Sequence, residues 1–506
     1  MQIRRLWKLL RARIPGVIVV PLLALASLSA WALASPVGAS PDDDFHLVSI
    51  WCGLGDRGGL CEPGAKADQA TVPQELTASP CYAHDATKSA SCQGADFGTH
   101  PDVTVSTDRG NFTGLYPPVF YFVNSIFAGE NIDIAVILMR VFNALLYVAL
   151  VTAAYLLLPL RRRTPLLVGA ALTIVPLGVF LIPSTNPSSW AIASATVLWI
   201  TLVGFMETVG RRRVGLAIVA VVATVMGAGA RADAAIWSIC AVAIALFLTF
   251  RRERAYLIHA SLPVLLAIVS AAFYLSASQS GAVTNGLTGE PPHGLTWIGL
   301  FIYNLTQAPD LWVGVFGHYG LGWLDTPIPN VVWVAGFAIF VGAVALNLRT
   351  RDRRTALVMA GITALLFVIP SEILTQSNAV VGGYVQPRYL MPLIIIFGGV
   401  AVLFTGRSAF VPRLAIPITA GVMTLTNSLA LFVNMRRYIT GDDTLGLNLN
   451  QRIEWWWPAA PSPMVIWVLG SVLFGLLYAS LALYAWNRAA PAASQDPAIV
   501  STTVAQ

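Results

Sequence analysis

Apolar positions in this chain come in long unbroken runs, not in the alternating or three-to-four spacing of half-buried strands and helices. Runs of roughly 17–25 residues suffice to cross a bilayer core of about 30 Å. About twelve are legible: 15–35, 131–160, 164–182, 190–208, 214–230, 234–250, 255–275, 331–348, 355–370, 389–405, 414–434 and 464–486. The pattern predicts an all-α polytopic membrane protein of about twelve transmembrane helices, with a first span at 15–35 and a bundle over 131–488. Residues 117–129 (PPVFYFVNSIFAG) are apolar but too short to span, and read as a re-entrant or interfacial helix.

Composition agrees. Only 11% of the 506 residues are charged, where soluble domains carry about a quarter. The charges are also sorted. Basic clusters at 4–13, 161–163, 211–213, 251–254 and 349–354, with Arg407, Arg413 and Arg488, put about 21 of the 31 basic residues on one side. About 21 of the 25 acidic residues fall on the other. Positive charge marks the cytoplasmic side. The expected topology is therefore a multi-pass bacterial plasma-membrane protein with a cytoplasmic N-terminus (1–14) and a short, disordered cytoplasmic tail (489–506). The first run reads as a retained anchor, with a cleaved leader as the alternative. The net charge of +6 is thus a topology signal, and no nucleic-acid partner is expected. The Ala-, Val- and Arg-rich composition points to a high-GC bacterium such as an actinobacterium.

The outward segments are 36–130, 276–330, 371–388 and 435–463. The first holds Cys52, Cys61, Cys81 and Cys92, while Cys240 is alone in a span. Four cysteines in an exported loop read as two disulfides. Of the three possible pairings, the sequential one, Cys52–Cys61 and Cys81–Cys92, closes the shortest separations. A zinc site is the competing reading, but paired C-x-x-C spacing is missing. Residues 43–54 read as a short helix on the membrane surface, and the rest of the loop as turn-rich and polar. No Walker or Rossmann fingerprint occurs, so function is expected on the outer face.

Asp42, Asp43 and Asp44 stand directly behind the first span. They are either a solvated acidic cap or a general base, since adjacent carboxylates repel and raise one pKa. Arg140 in a span, and Arg231 beside Asp233, are either structural ion pairs or an anionic-headgroup site. Arg388, Arg436 and Arg437 lie on the outer side against the prevailing bias, and a lipid phosphate is a fitting partner for such arginines. Trp455, Trp456 and Trp457 are an interfacial belt or a sugar-stacking platform. Asn111 and Asn304 sit in N-x-T sequons, which carry meaning only in a eukaryotic secretory context.

Six segments resemble, in order, the motifs of a bacterial membrane family of unknown function assigned to the GT-C glycosyltransferase superfamily. PDDDFH (41–46) resembles P-D-E-x-x-H, and LYPPVFYF (115–122) is similar to H-P-P-x-Y-Y with Tyr116 where histidine is common. LMRVFNAL (138–145), STNPSSWAIA (184–193), ARADAA (230–235) and QPRYLMPL (386–393) are similar to R-L-x-S, N-P-D-A-x-A-x-A, R-P-D-A and Q-G-R-Y-L-x-P. Asp43 replaces the glutamate and Ser188 the second aspartate, which puts that carboxylate's role in doubt. The resemblance implies a GT-C-like fold and transfer of a sugar from a polyprenyl-phosphate donor to a cell-envelope glycan or glycolipid acceptor, with inversion. Asp42 or Asp43 is then the catalytic base. Arg388, Arg231, Arg436, Arg437 and Tyr389 meet the donor phosphate; His46, Asp44, Tyr116, Arg140, Asn186, Asp233 and Gln386 support them. No cofactor is expected, although three aspartates could hold a divalent metal. The rival functions are a flippase for lipid-linked sugars, against which no paired repeat of interrupted spans is found, and a non-catalytic envelope-assembly scaffold.

The arginine asymmetry makes a direct prediction. A cysteine introduced at Ser276 is expected to react with an impermeant thiol reagent in intact cells, and one at Thr164 is not; equal labelling contradicts the assigned orientation.

Overall fold

The computed structural model describes residues 16–98, 102–278, 295–348, 352–403 and 413–488. The basic N-terminus (4–13), Arg407, the 279–294 part of the second outer segment and the tail 489–506 lie outside them. Helices dominate. In chain order they are α1 (Gly16–Leu33), α2 (Asp43–Trp51), α3 (Gln74–Ala78), α4 (Val119–Asn124), α5 (Ile132–Leu157), α6 (Leu160–Thr173), α7 (Pro176–Leu181), α8 (Ser188–Glu207) and α9 (Gly210–Ala228). Then follow α10 (Ala232–Thr249), α11 (Arg254–Ser276), α12 (Trp297–Val315), α13 (Asn330–Leu348), α14 (Arg353–Gln376), α15 (Pro387–Ala401), α16 (Ala415–Thr440) and α17 (Pro463–Arg488). Among the described residues eight are long and apolar enough to cross a membrane: α1, α5, α8, α10, α11, α14, α16 and α17. Shorter apolar helices occur at Asn330–Leu346 and Pro387–Ala401.

Three expectations need correction. The run 164–182 is not one span. It breaks between α6 and α7, where Val175 is extended ahead of Pro176, because a residue preceding proline avoids the helical region and proline lacks the N–H that would continue the ladder. The segment 276–330 is not all loop: α12 runs through it. Asn304, Pro309 and Asp310 interrupt its apolar run, yet Leu300, Asn304, Ala308, Leu311 and Val315 form one buried stripe. Asn304 is satisfied there by the Ala379 carbonyl at 2.9 Å and the Val381 N–H at 3.1 Å. Finally, α2 does not lie on a membrane surface. Its residues Phe45 to Trp51 are buried inside the protein, as suits a short helix apolar on most of its faces.

The first loop also departs from an all-α fold. Three short antiparallel strands, β1 (Glu62–Pro63), β2 (Ala70–Pro73) and β3 (Thr104–Thr107), pair in the order β1-β2-β3, with Glu62 opposite Thr71 and Ala70 opposite Thr107. The sequential disulfides form. Cys52–Cys61 ties the end of α2 to the β1 region, and Cys81–Cys92 closes the next turn.

Helix α8 is the hub, buried along almost its whole length. Its partner α15 crosses α6 at glycine: a methyl on Gly169 would lie 2.8 Å from the Gly399 Cα. The arginine-rich turns gather at one end of the bundle, where Arg162 pairs with Glu207 (2.6 Å), Arg213 reaches His259 and Arg354 donates to the Phe250 carbonyl. The first loop covers the opposite end. A buried ion pair stitches that loop to the bundle: Arg437 of α16 meets Asp325 at 2.9 Å and donates to the carbonyls of Tyr82 and Lys88. Removing one partner of such a pair leaves the other charge buried alone, at a cost of about 3–5 kcal/mol. Arg437→Met is therefore expected to lower the thermal midpoint of the purified protein by several degrees, and a fluorescence-detected melt at fixed detergent checks it.

Candidate functional site

The site grows from the way the chain leaves α1. The last carbonyls of a helix have no intrahelical partner, and here a side chain supplies one. Arg140, buried in α5, donates to the carbonyls of Ala32 (3.1 Å), Ser35 (2.6 Å) and Pro36 (2.6 Å), while Asn434 holds the Ala34 carbonyl at 3.0 Å. Asn186 then donates to the Pro41 carbonyl at 2.8 Å. Arg140 is thus a buried clamp on three backbone carbonyls, and Asn186 pins the next turn.

That turn sends consecutive carboxylates in opposite directions. Asp43 points inward and is fully buried; it accepts from the Ser40 N–H at 3.0 Å and the Thr185 hydroxyl at 2.9 Å. Burial pushes its pKa up to about 7, against the pull of Arg140 and these two donors. Asp42 adopts the left-handed conformation, φ 60°, which is sparsely populated outside glycine and favours a position with a local role. Its side chain is 38% exposed and meets Arg388 at 2.8 Å and Arg109 at 3.8 Å. Of the two candidate bases, Asp42 is the one that is open to the surface.

Arg388 stands in the first turn of α15. It also donates to Gln386 and to the Tyr389 hydroxyl (3.1 Å), and its Nε is buried with no hydrogen-bond partner. The Tyr389 ring carries two guanidiniums, Arg388 at 4.9 Å and Arg231 at 4.8 Å. Arg231, buried just ahead of α10, pairs with Asp233 at 2.8 Å and lies 5.5 Å from the Tyr116 ring centre. Two hydrogen bonds place it there: Val119 N–H to the Gly229 carbonyl (3.0 Å), and the Trp237 indole N–H to the Tyr389 carbonyl (2.9 Å). Asp44 accepts hydrogen bonds from Nε (2.6 Å) and Nη2 (3.1 Å) of Arg109, which holds the guanidinium above its ordinary pKa. Below the rings, buried His46 contacts the Tyr121 hydroxyl through Nδ1 (2.9 Å), and its Nε2 has no partner. Burial first, then the nearby arginines 231, 388 and 109, drive its pKa well down, so His46 is neutral. Tyr116, packed against the same imidazole, is pushed up to about 12 by burial and stays protonated.

The arrangement joins an accessible carboxylate to a rim of guanidiniums backed by tyrosines. Such a set can take a proton from an alcohol and hold a phosphate beside it. Five quoted motifs converge on it, and the sixth, through Arg140, supports it from beneath. Arg436 and Arg437 do not join. Arg436 donates to the carbonyls of Gly446 and Asn448, and the Arg437 fork is committed to Asp325 and backbone. The three aspartates diverge, and among the described residues no three His, Cys, Asp or Glu side chains gather as metal ligands. Trp457 donates its indole N–H to the Leu33 carbonyl at 2.8 Å and Trp456 to that of Pro461 at 2.9 Å, which fixes both rings against the backbone. Arg109, Thr185 and Tyr121 were not legible as site residues. Arg109 carries the same signal that singled out Arg388, an arginine on the acidic side of the chain.

Residues 25–397 match the family described as predicted membrane protein (DUF2142). The chain belongs to that family. No curated protein matches the sequence. The family match covers every residue of the cluster from Asp42 to Tyr389 and stops short of Arg436 and Arg437, the two arginines that the fold directs elsewhere.

Asp43 gives a pH prediction. The folded protein binds this proton more tightly than the unfolded chain, which titrates near 3.8, so the carboxyl stabilises most in acid and loses that contribution as pH rises to about 7. At about 1.4 kcal/mol per pKa unit, the effect is on the order of a few kcal/mol. The thermal midpoint is expected to fall between pH 5 and pH 7.5 in the parent, and the fall to be much smaller in Asp43→Asn.

Proposed function

We propose that this protein is a GT-C-type membrane glycosyltransferase acting on the extracytoplasmic face. It moves a sugar from a polyprenyl-phosphate donor to a cell-envelope glycan or glycolipid acceptor. The observation that carries this reading is Asp42, an exposed carboxylate on a left-handed turn beside Arg388, with Arg231 behind a shared tyrosine. In the reaction, Asp42 accepts the proton of the acceptor hydroxyl as its oxygen attacks the anomeric carbon from the face opposite the phosphate. The bond from that carbon to the phosphate oxygen breaks, the phosphate keeps the electron pair, and the configuration inverts. Arg388 and Arg231 meet the charge that develops on the leaving group. With the donor in place, Arg388 exchanges Asp42 for a phosphate oxygen, and the base is released. Asp43 holds the turn from inside, and neutral His46 props the aromatic floor. A monophosphate leaving group met by two guanidiniums needs no metal in this scheme. The arginine-rich turns at the other end face the cytoplasm, as the positive-inside rule directs.

A positioned general base contributes about 10²–10⁴-fold. Asp42→Asn is expected to lower turnover of a polyprenyl-phosphate sugar by at least about 10²-fold while donor binding persists. Arg388→Ala is expected chiefly to weaken donor binding. Turnover by Asp42→Asn at the parental rate refutes the mechanism.

A further inference from the structure

The outer segment that follows α16 carries two leucines outside any core. Leu445 is 92% exposed and Leu447 is 84% exposed, the highest values for large apolar side chains among the described residues. Leaving such a side chain in water forgoes about 1.5–3 kcal/mol of burial. The turn that presents them is nevertheless held in place. Arg436 Nη2 donates to the Gly446 carbonyl at 2.9 Å and to the Asn448 carbonyl at 3.0 Å, which draws the backbone on either side of Leu447 inward. Gly446 itself has φ 141°, a conformation open to glycine and resisted by other residues. Leu449, next in the same leucine series, is fully buried and fastens the far end.

The height of this turn identifies what the leucines meet. On α16, two residues before Arg436, Asn434 holds the Ala34 carbonyl just past the end of α1. Trp457 reaches the Leu33 carbonyl, the last of α1, and Asn450 accepts from the Met464 N–H at 3.1 Å in the first turn of α17. The turn therefore stands where α1 ends and α17 begins, and both helices are long and apolar enough to cross a membrane. A bilayer core reaches its boundary at that level. The apolar surface continues below it. The Arg436 guanidinium lies 5.7 Å from the Phe432 ring centre, Phe432 packs on Trp467 of α17, and α17 exposes Val465, Val468 and Leu469 nearby. Exposed Arg452 and half-buried Trp455 and Trp456 add the basic and aromatic groups that suit a headgroup layer. We propose that residues 445–453 form a foot set in the outer leaflet, with Leu445 and Leu447 at its acyl boundary and Arg436 fixing the turn that presents them. The partner is a lipid surface. This inference goes beyond the glycosyltransferase reading and does not depend on it, and it gives Arg436 a structural role in place of the donor phosphate.

Quenching of a fluorescent label on the full chain tests it, in nanodiscs of phosphatidylcholine and phosphatidylglycerol that hold one copy each. In a Cys240→Ser background, a nitrobenzoxadiazole group is attached at Leu447→Cys and, for comparison, at Ala67→Cys in the exposed turn between β1 and β2. Lipids spin-labelled high on the acyl chain are expected to quench the label at position 447 several-fold more than the label at 67, and aqueous iodide to do the reverse. Arg436→Gln removes the fork and keeps the leucines, and is expected to lower the lipid quenching at position 447 several-fold. Equal iodide quenching at the two positions puts the leucines in water, where a soluble partner is their occupant, and overturns the foot. Protection from both quenchers at position 447 means that the protein's own chain covers it, and overturns the foot as well. The same holds if protection from iodide arises only in nanodiscs loaded with two copies, since a second copy is then the occupant. Lipid quenching undiminished by Arg436→Gln overturns the part assigned to Arg436. The label at 447 in the otherwise unaltered chain decides the insertion by itself, whether or not Arg436→Gln folds.

Discussion

Arg140 is the fulcrum of the structure. Where α1 ends, the carbonyls of Ala32, Ser35 and Pro36 must find donors in a place that the packed protein closes to water, and one buried guanidinium serves all three. The chain is then directed rather than merely released. Asn434 holds one side of the exit and Asn186 the next turn, so residues 40–46 reach the site with no freedom to reorient. Everything that makes Asp42 available follows: the left-handed turn, the inward Asp43 and the outward carboxylate between two arginines.

The charges around that turn are balanced by arrangement more than by number. Asp44 occupies Arg109, Asp233 occupies Arg231, and Arg388 divides itself among Asp42, Gln386 and Tyr389. Each guanidinium is pre-oriented by a carboxylate or an aromatic face. Burial, and after it the cluster of cations, keeps His46 neutral, so this buried polar group adds no charge of its own. The stability of the site is then shared with distant elements. The Arg437–Asp325 pair seats the first loop on the bundle, and the Cys81–Cys92 bridge closes the turn whose carbonyls Arg437 binds.

Much of this was legible in the residues, and for definite physical reasons. Long apolar runs need no tertiary context to be read, because lipid demands them; the membrane class and the helical architecture follow directly. Short cysteine separations leave little choice of partner, and the sequential pairing formed. The positions around Asp42, Arg231 and Arg388 were marked by charges at the ends of apolar runs, where a charge is costly without a role, and Tyr116 only by its likeness to a family motif. Other features depended on contacts between segments hundreds of residues apart. Nothing local distinguishes Asp42 from Asp43; the inward turn of Asp43 is set by Thr185 across 142 positions. Arg388 and Arg437 read alike as outward arginines, but one finds a carboxylate at the surface and the other finds Asp325 inside the protein. Helix α12 was hidden by Asn304 and Asp310, polar groups that interrupt its apolar run; Asn304 finds its partner 75 positions on, at Ala379, and Asp310 in the turn that follows the helix. Periodicity and charge are properties of one segment and survive in a string of letters; direction and partnership belong to pairs of segments and exist only once the chain has packed.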